Sequence, residues 1–86
     1  MGAGSVDRFV KTFTVTGTTS STGNLSLGTT IPEHAMVTAS FSASYVGITF
    51  YNGTNWYVKV MNRTSGTQFV PVPSTSVTVR VYYLEF

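Results

Sequence analysis

The closing stretch of the chain, Thr75 to Phe86, limits what this sequence can fold into more than any other part of it. It alternates as a strand does, yet it is largely apolar on both sides: Val77, Val79, Val81 and Tyr83 share one face, while Arg80, Tyr82, Leu84 and Phe86 share the other. Successive strand residues point to opposite faces of a sheet, so such a strand needs two covers. In a chain of 86 residues one cover is the domain's own core. The second is expected to be another subunit. A chain of this length buries only about 60% of the surface it exposes when unfolded. It contains no cysteine, so neither a disulfide framework nor a thiolate metal site can add stability. Oligomerisation is the remaining usual remedy.

Upstream the same period of two recurs. From Arg8 to Thr16, Phe9, Lys11, Phe13 and Val15 lie on one side, expected to be the buried one, with Val10, Thr12, Thr14 and Thr16 opposite. Gly17 to Gly23 is a Ser/Thr run with glycine at both ends, which reads as a mobile loop. A short strand then carries Leu25 and Leu27 inward, and Ile31 before Pro32 is biased toward a turn. Ala35 to Tyr45 alternates most clearly, with Ala35, Val37, Ala39, Phe41, Ala43 and Tyr45 facing the core. Gly47 breaks this pattern and predicts a bend or bulge.

Asn52-Gly53 between two alternating runs is a hairpin signal, in a loop of either two or four residues. Its parity places Tyr51, Trp56, Val58 and Val60 on the core face, and Phe50, Tyr57, Lys59 and Met61 on the other. A second turn falls at 63–67. A short strand follows from Gln68 to Val70, stopped by Pro71 and Pro73. About seven strands and no helical periodicity over ten or more residues predict an all-β fold, a small antiparallel β-sandwich with jelly-roll-like character. Residues 1–7 read as a flexible start or a cloning remnant, and residues 8–86 as a single domain.

Several function classes are disfavoured by composition. Charged residues make up 9% of the chain, with five Lys/Arg against three Asp/Glu. These are too dispersed for the basic footprint that nucleic acid requires. No segment approaches the ~20 consecutive apolar residues that span a bilayer, so membrane insertion is not expected. His34, the only histidine, and three scattered carboxylates do not assemble a metal site. Neither a carboxylate pair nor a nucleophile motif is evident. The expectation is a non-enzymatic domain without metal or cofactor. Asn24, Asn52 and Asn62 each begin an Asn-x-Ser/Thr triplet, which is common by chance in a chain so rich in Ser and Thr.

The constellation with most binding chemistry is Tyr51 to Tyr57. Aromatic rings stack on the C–H faces of sugars, and Asn amides both donate to and accept from hydroxyls. Tyr51, Asn52, Asn55, Tyr57 and Lys59 are therefore the candidate ligand-binding residues. The competing reading makes Trp56 a core aromatic beside a turn. Arg80, Tyr82, Leu84 and Phe86 are the candidate oligomer interface.

Asn55 to Gly66 runs Trp-x-Val-x-Val-x-Asn into a Ser-Gly turn, and Val77 to Leu84 closes as Val-x-Val-Arg-Val-x-Tyr-Leu. Over roughly its last half the chain thereby resembles the C-terminal domains of bacteriophage tail fibre, baseplate and receptor-binding proteins. The resemblance implies a small homotrimeric β-sandwich head at the virion tail tip, outside the host cell, that attaches to host-surface glycans. The family carries no fixed binding motif to map onto these positions. Heptads or collagen-like repeats of a shaft are not found here, so any shaft would lie N-terminal to this sequence. A purely structural trimerisation module and a monomeric carbohydrate-binding module are the alternatives. The last of these does not need an apolar second face on the final strand.

Overall fold

The computed structural model describes residues 10–41, 44–63 and 68–85. The expectations for Arg8, Phe9, Ala43, Phe86 and most of the 63–67 turn lie outside the described residues. Seven strands are found: β1 (Val10–Thr18), β2 (Asn24–Ser26), β3 (Met36–Phe41), β4 (Tyr45–Tyr51), β5 (Trp56–Arg63), β6 (Phe69–Pro71) and β7 (Ser76–Leu84). No helix occurs among the described residues, and every ladder is antiparallel.

The strands form two sheets. One has the order β1-β7-β3. In the other β5 is central, with β4 on one side and both β2 and β6 paired to it as well. β2 meets β5 at residues 57–59 and β6 meets it at 61–63. Val60 stands between these ladders, donating its N–H to the Gly23 carbonyl at 2.8 Å and accepting from the Val72 N–H at 2.9 Å. Strands β1 to β4 alternate between the sheets along the chain, β1 and β3 pairing with β7 and β2 and β4 with β5. That is the rolled-ribbon connectivity expected of a jelly-roll-like sandwich.

The inner faces are those that alternation predicts. Val77, Val79 and Val81 of β7 are buried, as are Val58 and Val60 of β5 and Leu25 and Leu27 in and beside β2. Phe13, Val15, Val37, Ala39, Phe41, Tyr45, Trp56 and Tyr83 pack around them. Apolar burial at about 25 cal/mol per Å2 is the main force holding the sheets together.

Four local expectations are corrected. β1 continues through Gly17 and Thr18, which pair with Val77 and Ser76. The Ser/Thr run beyond it is tied down by hydrogen bonds: Thr19 is 3% exposed, its hydroxyl donates to the Val72 carbonyl at 2.6 Å and accepts from the Thr75 N–H at 2.9 Å. Ala35 to Tyr45 is not one strand, because β3 belongs to the first sheet and β4, starting at Tyr45, to the second. Gly47 marks no bulge. It pairs in register with Val60, and a Cβ there would meet Val58 Cγ2 at 2.7 Å and Phe41 Cε2 at 2.8 Å. Glycine is needed at this position so that the Phe41 ring can cross from the opposite sheet.

Candidate functional site

β7 is the central strand of its sheet, so its outward residues are flanked on both sides, and the register names the neighbours. Arg80 lies between Thr14 and Ser40, Tyr82 between Thr12 and Thr38, and Leu84 between Val10 and Met36. Along one strand the outer face thus changes character. At one end it carries hydroxyls around a guanidinium, with Thr16 and Thr78 joined hydroxyl to hydroxyl at 3.2 Å. At the other end it is apolar, with Met36 61% exposed.

Two shallow depressions follow this division. A groove of about 290 Å3 is lined by Thr14, Ser40, Phe41, Thr78, Arg80 and Tyr82. A second, of about 180 Å3, is lined by Val10, Met36, Thr38, Tyr82, Tyr83 and Leu84. Tyr82 borders both. Of the residues that sequence reasoning assigned to an interface, Leu84 belongs to the apolar end, Arg80 to the hydroxyl end, Tyr82 to the boundary between them, and Phe86 lies outside the described residues. Thr14, Ser40, Val10 and Met36 were not singled out from sequence. Alternation did place them facing outward, but only the strand order brings them beside β7.

The Asn52 hairpin holds its candidates apart. Tyr51 pairs with Trp56, so the loop is four residues long, closed by the Asn52 N–H donating to the Asn55 carbonyl at 3.1 Å. Gly53 has φ 98° and Asn52 does not share the positive φ, so the loop is not a two-residue type I′ turn. The Asn52 Oδ1 accepts from the backbone N–H groups of Thr54 at 2.9 Å and Asn55 at 2.8 Å, an Asx-type closure. Tyr51 tilts against Trp56 on the core side, with centroids 5.7 Å apart. Trp56 packs on the core and donates its Nε1–H to the Pro32 carbonyl at 2.9 Å.

Tyr57 points the other way and stacks on Phe50 at 5.7 Å with planes 15° apart. Lys59, on the same outer face, donates to the Thr22 carbonyl at 2.9 Å. The outer face of this sheet is more apolar than sequence alone conveyed, with Ile48 beside Lys59 59% exposed and Phe69, at the far end of β5, 49% exposed. Among the described residues no group of three His, Cys, Asp or Glu side chains could hold a metal ion. His34 and Glu33 are both exposed in the turn before β3. The one ion pair among the described residues joins Lys11 to Glu85 at 3.8 Å, with both side chains about half exposed.

Comparison with protein families, with known proteins and with solved structures finds no match to this chain.

Proposed function

We propose that this domain is a non-enzymatic attachment module that works as a homotrimer, of the kind that ends a bacteriophage tail fibre or baseplate protein, and that it engages host-surface carbohydrate outside the cell. The observation that carries self-association is the row Val10, Leu84 and Met36 on the outer face of a central strand. These side chains lie one strand spacing apart and form an apolar end to an otherwise hydroxyl-covered face. A surface of this composition gains by being removed from water. The trimeric state and the glycan receptor are supported by the strand pattern of the last half of the chain.

Light scattering at tens of micromolar tests the association. The expected mass is three chains for the parent, and one chain for Leu84→Asp, because an unpaired carboxylate in a closed interface costs several kcal/mol, on the order of other buried charges. A monomeric parent protein refutes the proposal. A purely structural trimerisation module is the second reading, favoured by the internal use of Asn52 Oδ1 and the Lys59 ammonium. Binding of fluorescently labelled trimer to intact host cells separates the two.

A further inference from the structure

We infer that the groove around Arg80 is a saccharide subsite, and that it takes a sugar bearing a carboxylate, a hexuronate or sialate. This inference rests on the attachment reading above and gives its receptor a chemical class.

The first ground is an uncompensated charge. Arg80 sits mid-strand on β7 and no described residue forms an ion pair or hydrogen bond with it. Only two carboxylates occur among the described residues. Glu85 is bonded to Lys11, and Glu33 lies in the turn before β3. A guanidinium offers five donors in a planar fork that matches a carboxylate with two parallel hydrogen bonds.

The second ground is what surrounds it. Thr14 and Ser40 flank Arg80 in register on β1 and β3, at a strand spacing of about 4.8 Å. Thr78 stands one row further along the same face. Hydroxyls both donate and accept, as sugar hydroxyls require of their partners. Tyr82 closes the groove on the other side with an aromatic ring against which the apolar face of a sugar can rest. The groove's volume of about 290 Å3 falls at the lower edge of the ~300–1,000 Å3 typical of small-ligand sites. It therefore has room for one ring of a longer chain.

The third ground is that among the described side chains no other cation stands beside Arg80. A polyphosphate or nucleic acid needs several basic groups in line. Here Lys11 is already paired, and Lys59 lies on the outer face of the other sheet. One guanidinium among hydroxyls fits a ligand with one negative charge and many hydroxyls. All its flanking groups stand on paired strands, so the groove is held rigidly before any ligand arrives. In the proposed trimer the contact is made by Val10, Met36 and Leu84, at the opposite end of this face from Arg80.

Amide chemical-shift titration of the whole chain tests the assignment, with tetragalacturonate and sialyllactose as acidic probes, maltotetraose as the neutral probe, and acetate and inorganic phosphate as anions without sugar. We expect at least one acidic probe to shift the amides of Thr14, Ser40, Thr78, Arg80 and Tyr82, and to bind at least tenfold more tightly than maltotetraose, acetate or phosphate. Arg80→Gln should weaken that probe tenfold or more and Arg80→Lys less. Ser40→Ala should weaken it a few-fold, and the trimer mass should be unchanged in all three variants. The inference is overturned if neither acidic probe binds, if maltotetraose or the simple anions bind equally well, or if Arg80→Gln binds as the parent does. Cell attachment by both the parent trimer and Arg80→Gln would defeat the subsite alone, whereas a parent that neither trimerises nor attaches defeats the attachment reading itself.

Discussion

Replacing Thr19 by valine changes almost nothing in shape and removes one hydroxyl, and the structure assigns that hydroxyl a large share of the domain's stability. Thr19 is the only buried polar residue among those described, at 3% exposure. Its oxygen donates to the Val72 carbonyl and accepts from the Thr75 N–H, so the substitution orphans one acceptor and one donor on the segment joining β6 to β7. Each buried orphan costs about 1–3 kcal/mol, and the extra buried methyl returns about 1 kcal/mol. The net loss is about 3 kcal/mol by these magnitudes. Against a total stability of about 4–13 kcal/mol for a chain of this length, that is a major fraction. It corresponds to a melting temperature lower by about 12–24 °C. Urea denaturation with an unchanged m-value is the assay. Thr19→Ser keeps both hydrogen bonds and should lose about 1 kcal/mol for its missing methyl. If the valine variant loses less than the serine variant, the hydroxyl is not the tie described here. A solvated Ser/Thr loop would instead show a change within about 0.5 kcal/mol.

Three further outcomes are expected. Gly47→Ala drives a Cβ against Val58 and Phe41 and should destabilise by about 1–3 kcal/mol as overpacking does, with Phe41→Leu relieving part of the loss; a stabilised Gly47→Ala refutes the close approach. Trp56→Phe removes the Nε1–H bond to the Pro32 carbonyl, which keeps the Ala35 N–H at 3.2 Å, and chemical denaturation should show a loss of about 2 kcal/mol from the missing bond and the smaller ring, while Trp56→Ala should unfold the domain at physiological temperature. Tyr57→Ala removes the stack on Phe50 and should lower stability by about 1 kcal/mol, and a melting temperature identical to the parent's would show that the stack contributes nothing.

Much of the fold could be read because a sandwich core imposes parity on every strand that borders it. That is why the inward sides of β5 and β7 and the inward pair Leu25 and Leu27 follow from alternation alone. Parity carries no information about which strand pairs with which. Ala35 to Tyr45 read as one strand because Phe41 and Tyr45 both face the same core from different sheets, so the alternation survives the crossing that separates them. Gly47 read as a bulge because its reason for being glycine is the Phe41 ring, close in sequence but on a strand of the opposite sheet. Thr19 read as loop because composition reports polarity, and its hydroxyl is buried by partners more than fifty residues on.

The same limit governs the candidate site. Arg80, Tyr82 and Leu84 were legible as one outward face. That they divide into a hydroxyl end and an apolar end depends on Thr14, Ser40, Val10 and Met36, which the sequence keeps on β1 and β3. At the hairpin, parity separated Tyr57 from Trp56 correctly. The closure of Asn52 onto its own loop depends on backbone geometry that alternation does not describe.

Val10 and Leu84 are paired partners, so the chain enters and leaves the described fold side by side, at the same end of one antiparallel ladder. Tension applied between these two flanks would peel β1 from β7 one residue pair at a time, as a zipper opens, and the force resisted at any moment would be that of a single rung. Tension that enters at one flank and leaves through a surface on β7 meets a different resistance. β7 is held by a ladder on each side, and sliding it out requires many rungs to fail together. A domain wired in this way is weak as a link within a chain and strong as a terminal anchor, and single-molecule pulling in the two geometries should give unfolding forces that differ accordingly.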